Sequence, residues 1–469
     1  MLLSVEGLNA NRIKLSLQVF AKYVREIYWS PKDRRSELAK VTVWLADDSE
    51  IDLNVMAEFL AYWTQAEDSK CRVIAEGLIN TLIGKSASET LRKVALNIME
   101  GKIDIPPIAI RCLTAAGQLG DVSAMGNLGR RLLDGDGVTA DARAGEEWLR
   151  KAAAANDPFA MWDLGRRLLD GDGITADARA GEEWLRKAAA ANDSPAMGDL
   201  GRRLLDGDGI TADARAGEEW LRKAAAANYS PAMGDLGGRL LDGKGITADA
   251  RAGEEWLRKA AEANYPPAMG DLGQRLLDGQ GITPDARAGE EWLRKAAEAN
   301  YSPAAVSLGF YYYENKQLAE ATHYFLQGCN ENSAEASIDL AYMIRRKEVI
   351  TSSNLPLIPE LLDDSIKDHD PYALVNYSLC LASGIGYNQD WNQADESIGA
   401  INDVNGVLDW WRKVAEEGDA EGHLVVGWLV RHGLVDDPDG YTLEQRMDLA
   451  CEGGWQIPDW MRSPNQVQS

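Results

Sequence analysis

Five near-identical units of 36 residues, laid end to end, fill the chain from Ala124 to Pro303. The first reads AMGNLGRRLLDGDGVTADARAGEEWLRKAAAANDPF, and copies start at Ala160, Ala196, Ala232 and Ala268. Trp148, Trp184, Trp220, Trp256 and Trp292 mark one position in all five. A unit this short cannot enclose its own apolar face. Repetition at this period therefore means an array in which neighbours bury one another.

Each unit reads as two antiparallel helices. Met125, Leu128, Leu132 and Leu133 share one face of the first. Its start signals are Asp157-Pro158, Ser194-Pro195, Ser230-Pro231 and Ser302-Pro303, a polar cap followed by proline at the first helical position. Asp134-Gly135 stops it, with glycine free to take the left-handed conformation. After the turn Asp136-Gly137-Val138, Thr139 reads as the N-cap of the second helix. Pro284 directly follows the equivalent Thr283, and Asp141 in the first turn suits the helix dipole. This helix is expected to bury Trp148, Leu149, Ala152 and Ala153 and to end at Asn156. Glu146–Arg150 and Glu147–Lys151 are expected as outward pairs worth about 0.2–0.5 kcal/mol each. Small residues at Ala124, Gly129, Ala144, Ala152 and Ala153 allow close helix approach, and the tryptophan fills the gap between pairs. The expected fold class is all-α, an α/α superhelical repeat solenoid.

The A-x-x-x-L-G of the first helix, the D-G-x-G-V/I turn, the D-x-x-x-A that follows and the W-L-x-K-A-A run together resemble the Sel-one-like repeat family, a branch of the tetratricopeptide-type solenoids. Leu-Leu-Asp stands before the turn where the family usually has tyrosine. The resemblance implies a scaffold or adaptor that binds other proteins, without catalysis and without a cofactor.

Fainter copies flank the array. Cys112 lies one period before Trp148, so Ile108–Met125 reads as a degenerate second helix running into the first strong unit. Ala304–Ala334 resembles a shorter unit, Ala336–Tyr342 a first helix, Ala373–Gly386 a first helix with its glycine turn, and Trp410–Ala415 the matching second helix after an insertion. His423–Gly433 and Tyr441–Gly453 make a last pair. The expected organisation is a helical N-terminal cap over residues 1–105, a repeat array over 106–303, and divergent acidic, aromatic-rich repeats with a C-terminal cap over 304–469. The cap reads as about five amphipathic helices, with starts at Ser30-Pro31 and Ser86–Glu89 and a stop at Gly101. The tail from Ser463 is polar and expected to fray.

The net charge of −25 is uneven: about −1 over residues 1–123, −7 over the five units and −17 beyond residue 303. Such a chain repels nucleic-acid backbones and suits a partner with a basic surface. No stretch of about 18 apolar residues and no signal-peptide pattern occurs, so no membrane partner and a cytoplasmic location are expected. Cys71, Cys112, Cys329, Cys380 and Cys451 form no CxxC and read as buried thiols. His323, His369, His423 and His432 lack metal-ligand spacing. The Asp134-Gly-Asp136-Gly turn has Val138, Thr139 and Gly145 where a calcium loop needs oxygen ligands or glycine, and its second aspartate becomes Lys244 and Gln280. It reads as a glycine-dependent turn, not a metal site.

Two sets of residues are candidates for binding a partner. Arg131, Arg167, Arg203, Arg239 and Arg275 form one row, and Asp163, Asp199, Asp235 and Asp271 another. They either bridge neighbouring units or line a polar concave surface for an extended chain. On a third reading the units only space the ends, which do the recognition. That points to aromatics beyond Pro303, notably Tyr311, Tyr312, Trp391, Trp410 and Trp411, because aromatics anchor interfaces. Trp162 stands where the other units have glycine, and its ring is expected to break the ladder of repeated positions there and to be exposed. The expected function is a non-enzymatic protein–protein interaction scaffold, a monomer or part of a hetero-complex. The alternatives are an immunity protein that neutralises a bacterial toxin or effector, a chaperone or regulator of secreted proteins, and an enzyme with its site within residues 304–460.

Overall fold

The structure is a computed structural model that describes residues 79, 88–100, 107–349 and 355–462. Its described residues hold twenty-one α-helices, a short 3-10 turn and no strand. They fall into two compact units, residues 1–248 and 249–469. Most of the expected N-terminal cap, Cys71, Gly101 and the tail from Ser463 lie outside the described residues.

The first unit contains α1 (Ser88–Glu100), α2 (Pro107–Gln118), α3 (Val122–Asp134), α4 (Ala142–Ala154), α5 (Pro158–Asp170), α6 (Ala178–Ala190), α7 (Ser194–Asp206), α8 (Ala214–Ala226) and α9 (Ser230–Asp242), each packed on the next. Helices within a pair nearly touch backbone to backbone. A Cβ on Gly129 would stand 2.7 Å from the Leu149 amide and 2.9 Å from the Gly145 carbonyl. Gly145 makes the reciprocal approach, a role the sequence reading gave to Ala144. Leu128, Leu149, Ala152 and Ala153 seal this crossing, each leucine contributing about 1.5–3 kcal/mol.

Several local expectations shift. Asp141, not Thr139, is the N-cap of α4, accepting from the Ala144 amide at 2.9 Å. Asp157 and Asp193 cap α5 and α7, whereas Tyr229 precedes α9 without a side-chain cap, so Ser194 and Ser230 sit inside their helices. Gly135 takes φ 68° as expected, and Asn156, one residue beyond the C-cap, takes φ 63°. The tryptophans are only partly buried. Lys151 lies 4.3 Å above the Trp148 ring, which diverts it from Glu147; that carboxylate pairs with Arg143 instead. Glu146–Arg150 forms as expected.

The second unit contains α10 (Ala250–Glu262), α11 (Pro266–Asp278), α12 (Ala286–Glu298), α13 (Ser302–Glu314), α14 (Leu318–Asn330), α15 (Ala334–Arg345), α16 (Ile358–Lys367), α17 (Pro371–Ser383), α18 (Trp391–Gly399), α19 (Asn405–Glu416), α20 (Ala420–Arg431) and α21 (Leu443–Glu452). Helix α16, which packs on α15, was not anticipated. The partner of α17 is α18, not the helix that carries Trp410. The register explains this: Gly384 precedes the N-cap Asp390 by the same interval that separates Gly135 from Asp141. Helix α19 packs on α20 instead.

Candidate protein-interaction site

Four of the row's five arginines are buried and bonded inside the fold; Arg131 is partly buried, and its Nε has no hydrogen-bond partner. Arg167, Arg203 and Arg239 are only 2%, 2% and 6% exposed. Each Nε bonds the aspartate one turn back, at 3.1 Å to Asp163, 3.0 Å to Asp199 and 2.8 Å to Asp235. Each also reaches the aspartate that ends the previous unit's first helix. Arg167 bonds Asp134 at 2.6 Å, Arg203 bonds both oxygens of Asp170 at 2.8 and 2.9 Å, and Arg239 forks onto Asp206. The result, within the first compact unit, is a ladder of ion pairs between successive repeats. Asp206 is held below the usual carboxylate range by its hydrogen bond from Arg239. Arg131, the first rung, pairs with Asp136 of its own turn. In the second unit Arg275 is 8% exposed and bonds Asp271 at 2.8 Å.

Beyond residue 303 the same register carries different chemistry. The sixth residue after the N-cap is Asp163 on α5, Asp339 on α15 and Asn376 on α17; the tenth is Arg167, Met343 and Cys380. The acidic or amide position persists while its arginine is lost. Asp339 keeps a buried Oδ2 and Asn376 a buried Oδ1 without a hydrogen-bond partner. Asp163 and Asp199 also leave one oxygen unpartnered, but an arginine holds the other. Among the described residues no arginine or lysine pairs with Asp339.

These two orphans line a cavity of about 500 Å³. Phe310 and Tyr313 enter it from α13, Phe325 from α14, Tyr342 and Met343 from α15, Tyr372 from α17, and Trp410 and Trp411 from α19. Glu335 and Asp370 complete an acidic side. Burial pushes the Asp339 carboxyl well above its ordinary range, and Glu335 adds to the effect. Glu335 is itself raised by burial and by Asp370. The Tyr313 hydroxyl donates to Glu348 at 2.7 Å, and its ionisation is pushed up by burial. Tyr372 stands at the rim, 40% exposed.

The Sel1 repeat family matches the chain five times in tandem, over residues 122–157, 158–193, 194–229, 230–265 and 266–301. Residues 122–301 are five Sel1 repeats. Proteins built of Sel1 repeats generally mediate protein–protein interaction. Among solved structures the chain is similar to a protective antigen of uropathogenic Escherichia coli displaying an SLR fold, at 19% identity over 91% of each chain with a TM-score of 0.46. It is also similar to a Sel1 repeat protein from Oxalobacter formigenes, at 21% identity over 78% of this chain and 95% of that one, TM-score 0.45. No curated protein matches it in sequence.

The Sel1 register sorts the candidate residues. Arg167, Arg203, Arg239 and Asp163 are buried, and of the two readings of these rows their contacts are those of bridging: the guanidiniums fasten one repeat to the next. Asp199, Asp235 and Asp271 keep partial exposure beside their arginines. Trp162 is partly buried, tilted against Phe159 at 5.2 Å, and does not break the ladder beneath it. Of the aromatics, the cavity gathers Trp410 and Trp411 but not Tyr311, Tyr312 or Trp391. Tyr312 is 3% exposed, its hydroxyl bonded by Arg294 at 2.6 Å. Tyr311 lies edge-on to it. Trp391 packs near Trp428 and Trp455. Trp411 is 2% exposed and belongs to the core. Asp339, Asn376, Tyr342 and Tyr372 were missed. The available signal was D-x-x-x-R turning into Asp339-x-x-x-Met343.

Proposed function

We propose that this chain is a non-enzymatic protein-binding scaffold whose recognition end is the cavity-bearing helices beyond residue 303, with the Sel1 array as its frame. The observation that carries this reading is the aromatic, acidic cavity, set against an arginine row buried within the fold. The array consumes its buried charges internally. The divergent helices leave two buried acceptors on residues that line, with a set of rings, a space that a partner can fill.

The test is capture of a partner from extract by the purified full-length chain, identified by mass spectrometry. Tyr372→Ala combined with Trp410→Ala changes rings that are exposed or partly buried. The reading expects the captured protein to be lost with these variants and kept with Arg143→Ala on the array's exposed face. Capture that survives the ring changes but fails with Arg143→Ala contradicts it.

A further inference from the structure

The cavity on α13, α14, α15, α17 and α19 has a chemical asymmetry that narrows its occupant. Its polar lining consists mainly of acceptors. Asp339 Oδ2 and Asn376 Oδ1 are buried and unpartnered. The Asn376 amide group already donates to the Tyr372 carbonyl at 3.2 Å, which fixes its oxygen as the orphan. Two further carboxylates, Glu335 and Asp370, lie on the same wall. A buried acceptor left unmade costs free energy that a donor can recover.

The other lining is aromatic, and ring faces attract cations while also covering aliphatic stems. Arg345 and Arg346 already use the Tyr342 ring in this way, at 5.5 and 5.4 Å from its centroid. The site is therefore acceptor-rich, ring-lined and without a cation of its own at Asp339. The volume of about 500 Å³ falls within the roughly 300–1,000 Å³ of ordinary ligand sites.

The repeat register shows what is missing. At the equivalent place on α5, the aspartate is answered by Arg167, 3.1 Å away. On α15 the answering position is Met343, 1% exposed and lining the cavity. We propose that a partner protein supplies the cation from outside: a lysine or arginine side chain enters the cavity, sets its ammonium or guanidinium against Asp339 and Asn376, and lays its stem along the rings. This rests on the scaffold reading above. The −17 charge of residues 304–469 and the ring of Tyr372 at the rim suit a basic segment of chain.

The experiment is calorimetric titration of the full-length chain with capped pentapeptides that carry one central lysine, arginine or norleucine among glycines, and with free spermidine. The lysine or arginine peptide is expected to bind at least tenfold more tightly than the norleucine peptide. Asp339→Asn should weaken it at least tenfold. Met343→Arg should abolish it by supplying the cation internally, with the thermal midpoint maintained. Equal binding of norleucine, indifference to Asp339→Asn, or no binding of any peptide overturns the proposal. Spermidine binding as tightly as the peptides, with the same loss in Asp339→Asn, also overturns it, since the source is then a free amine. A chain that binds the lysine peptide yet captures no protein from extract sinks the scaffold reading alone. Capture of a protein that is unaffected by Asp339→Asn sinks this inference alone.

Discussion

Asp199 and Asp339 occupy the same place in two copies of one helix, and their fates differ. Asp199 is bonded at 3.0 Å by a buried Arg203, which also reaches Asp170 of the preceding repeat. Asp339 has Met343 at the arginine's place in the register, and both line a cavity. In the array, a buried charge is tolerated because Arg167, Arg203 and Arg239 each meet at least two carboxylates within the fold. Past residue 303 this pairing is broken on one side only. Asp163 and Asp199 also keep one unpartnered oxygen, but their arginines hold the other; at Asp339 the arginine is gone and the carboxylate lines a cavity.

The comparison is sharpest when the ladder itself is broken. Asp170→Ala removes the cross-repeat acceptor of Arg203 and leaves a buried guanidinium with Asp199 at its Nε and the more distant Asp208 at 3.7 Å. The expected cost is about 3 kcal/mol, read from the urea midpoint at neutral pH. A cost near zero would mean that the ladder is decoration and would erase the contrast between the two regions.

A smaller effect distinguishes the two carboxylates by sign. Asp206 is lowered by Arg239, so its contribution is fully present above the ordinary carboxylate pKa and is lost as pH falls through its folded value. Asp339 is raised by burial and by Glu335, so the folded chain keeps that proton longer than the unfolded one. It therefore costs stability increasingly as pH rises through its folded value. The titratable groups that line the same cavity are Glu335, Asp370, Tyr313, Tyr342 and Tyr372. Urea midpoints from pH 3 to 8 should show Asp206→Asn destabilising at neutral pH and Asp339→Asn stabilising, both differences shrinking in acid. The same sign for both would remove the distinction.

Much of the fold was legible because periodicity is a loud signal: the glycine turn, the leucine face and the repeat length each recur five times. The caps were misplaced because Asp141 and Thr139 are both competent caps, and only the backbone path chooses between them. Helix α16 was missed because nothing in Ile358–Lys367 copies the repeat. The cavity was harder still. Its aromatics were noticed as a group, but which of them converge depends on α18 pairing with α17, which leaves α19 to bring Trp410 and Trp411 to the wall. Asp339 was readable in principle, as the aspartate that had lost its arginine, yet a lost residue is easily passed over when copies are sought.

The central claim is that the array frames and the divergent helices recognise. Its most direct test removes two whole Sel1 repeats, residues 158–229, which keeps the register and lets Arg239 meet Asp134 in place of Asp206. The shortened chain should fold and capture the same partner protein with an affinity within a few-fold of the full-length chain, measured by surface binding of the purified pair. Loss of that capture from a folded shortened chain, with the cavity intact, would contradict the account.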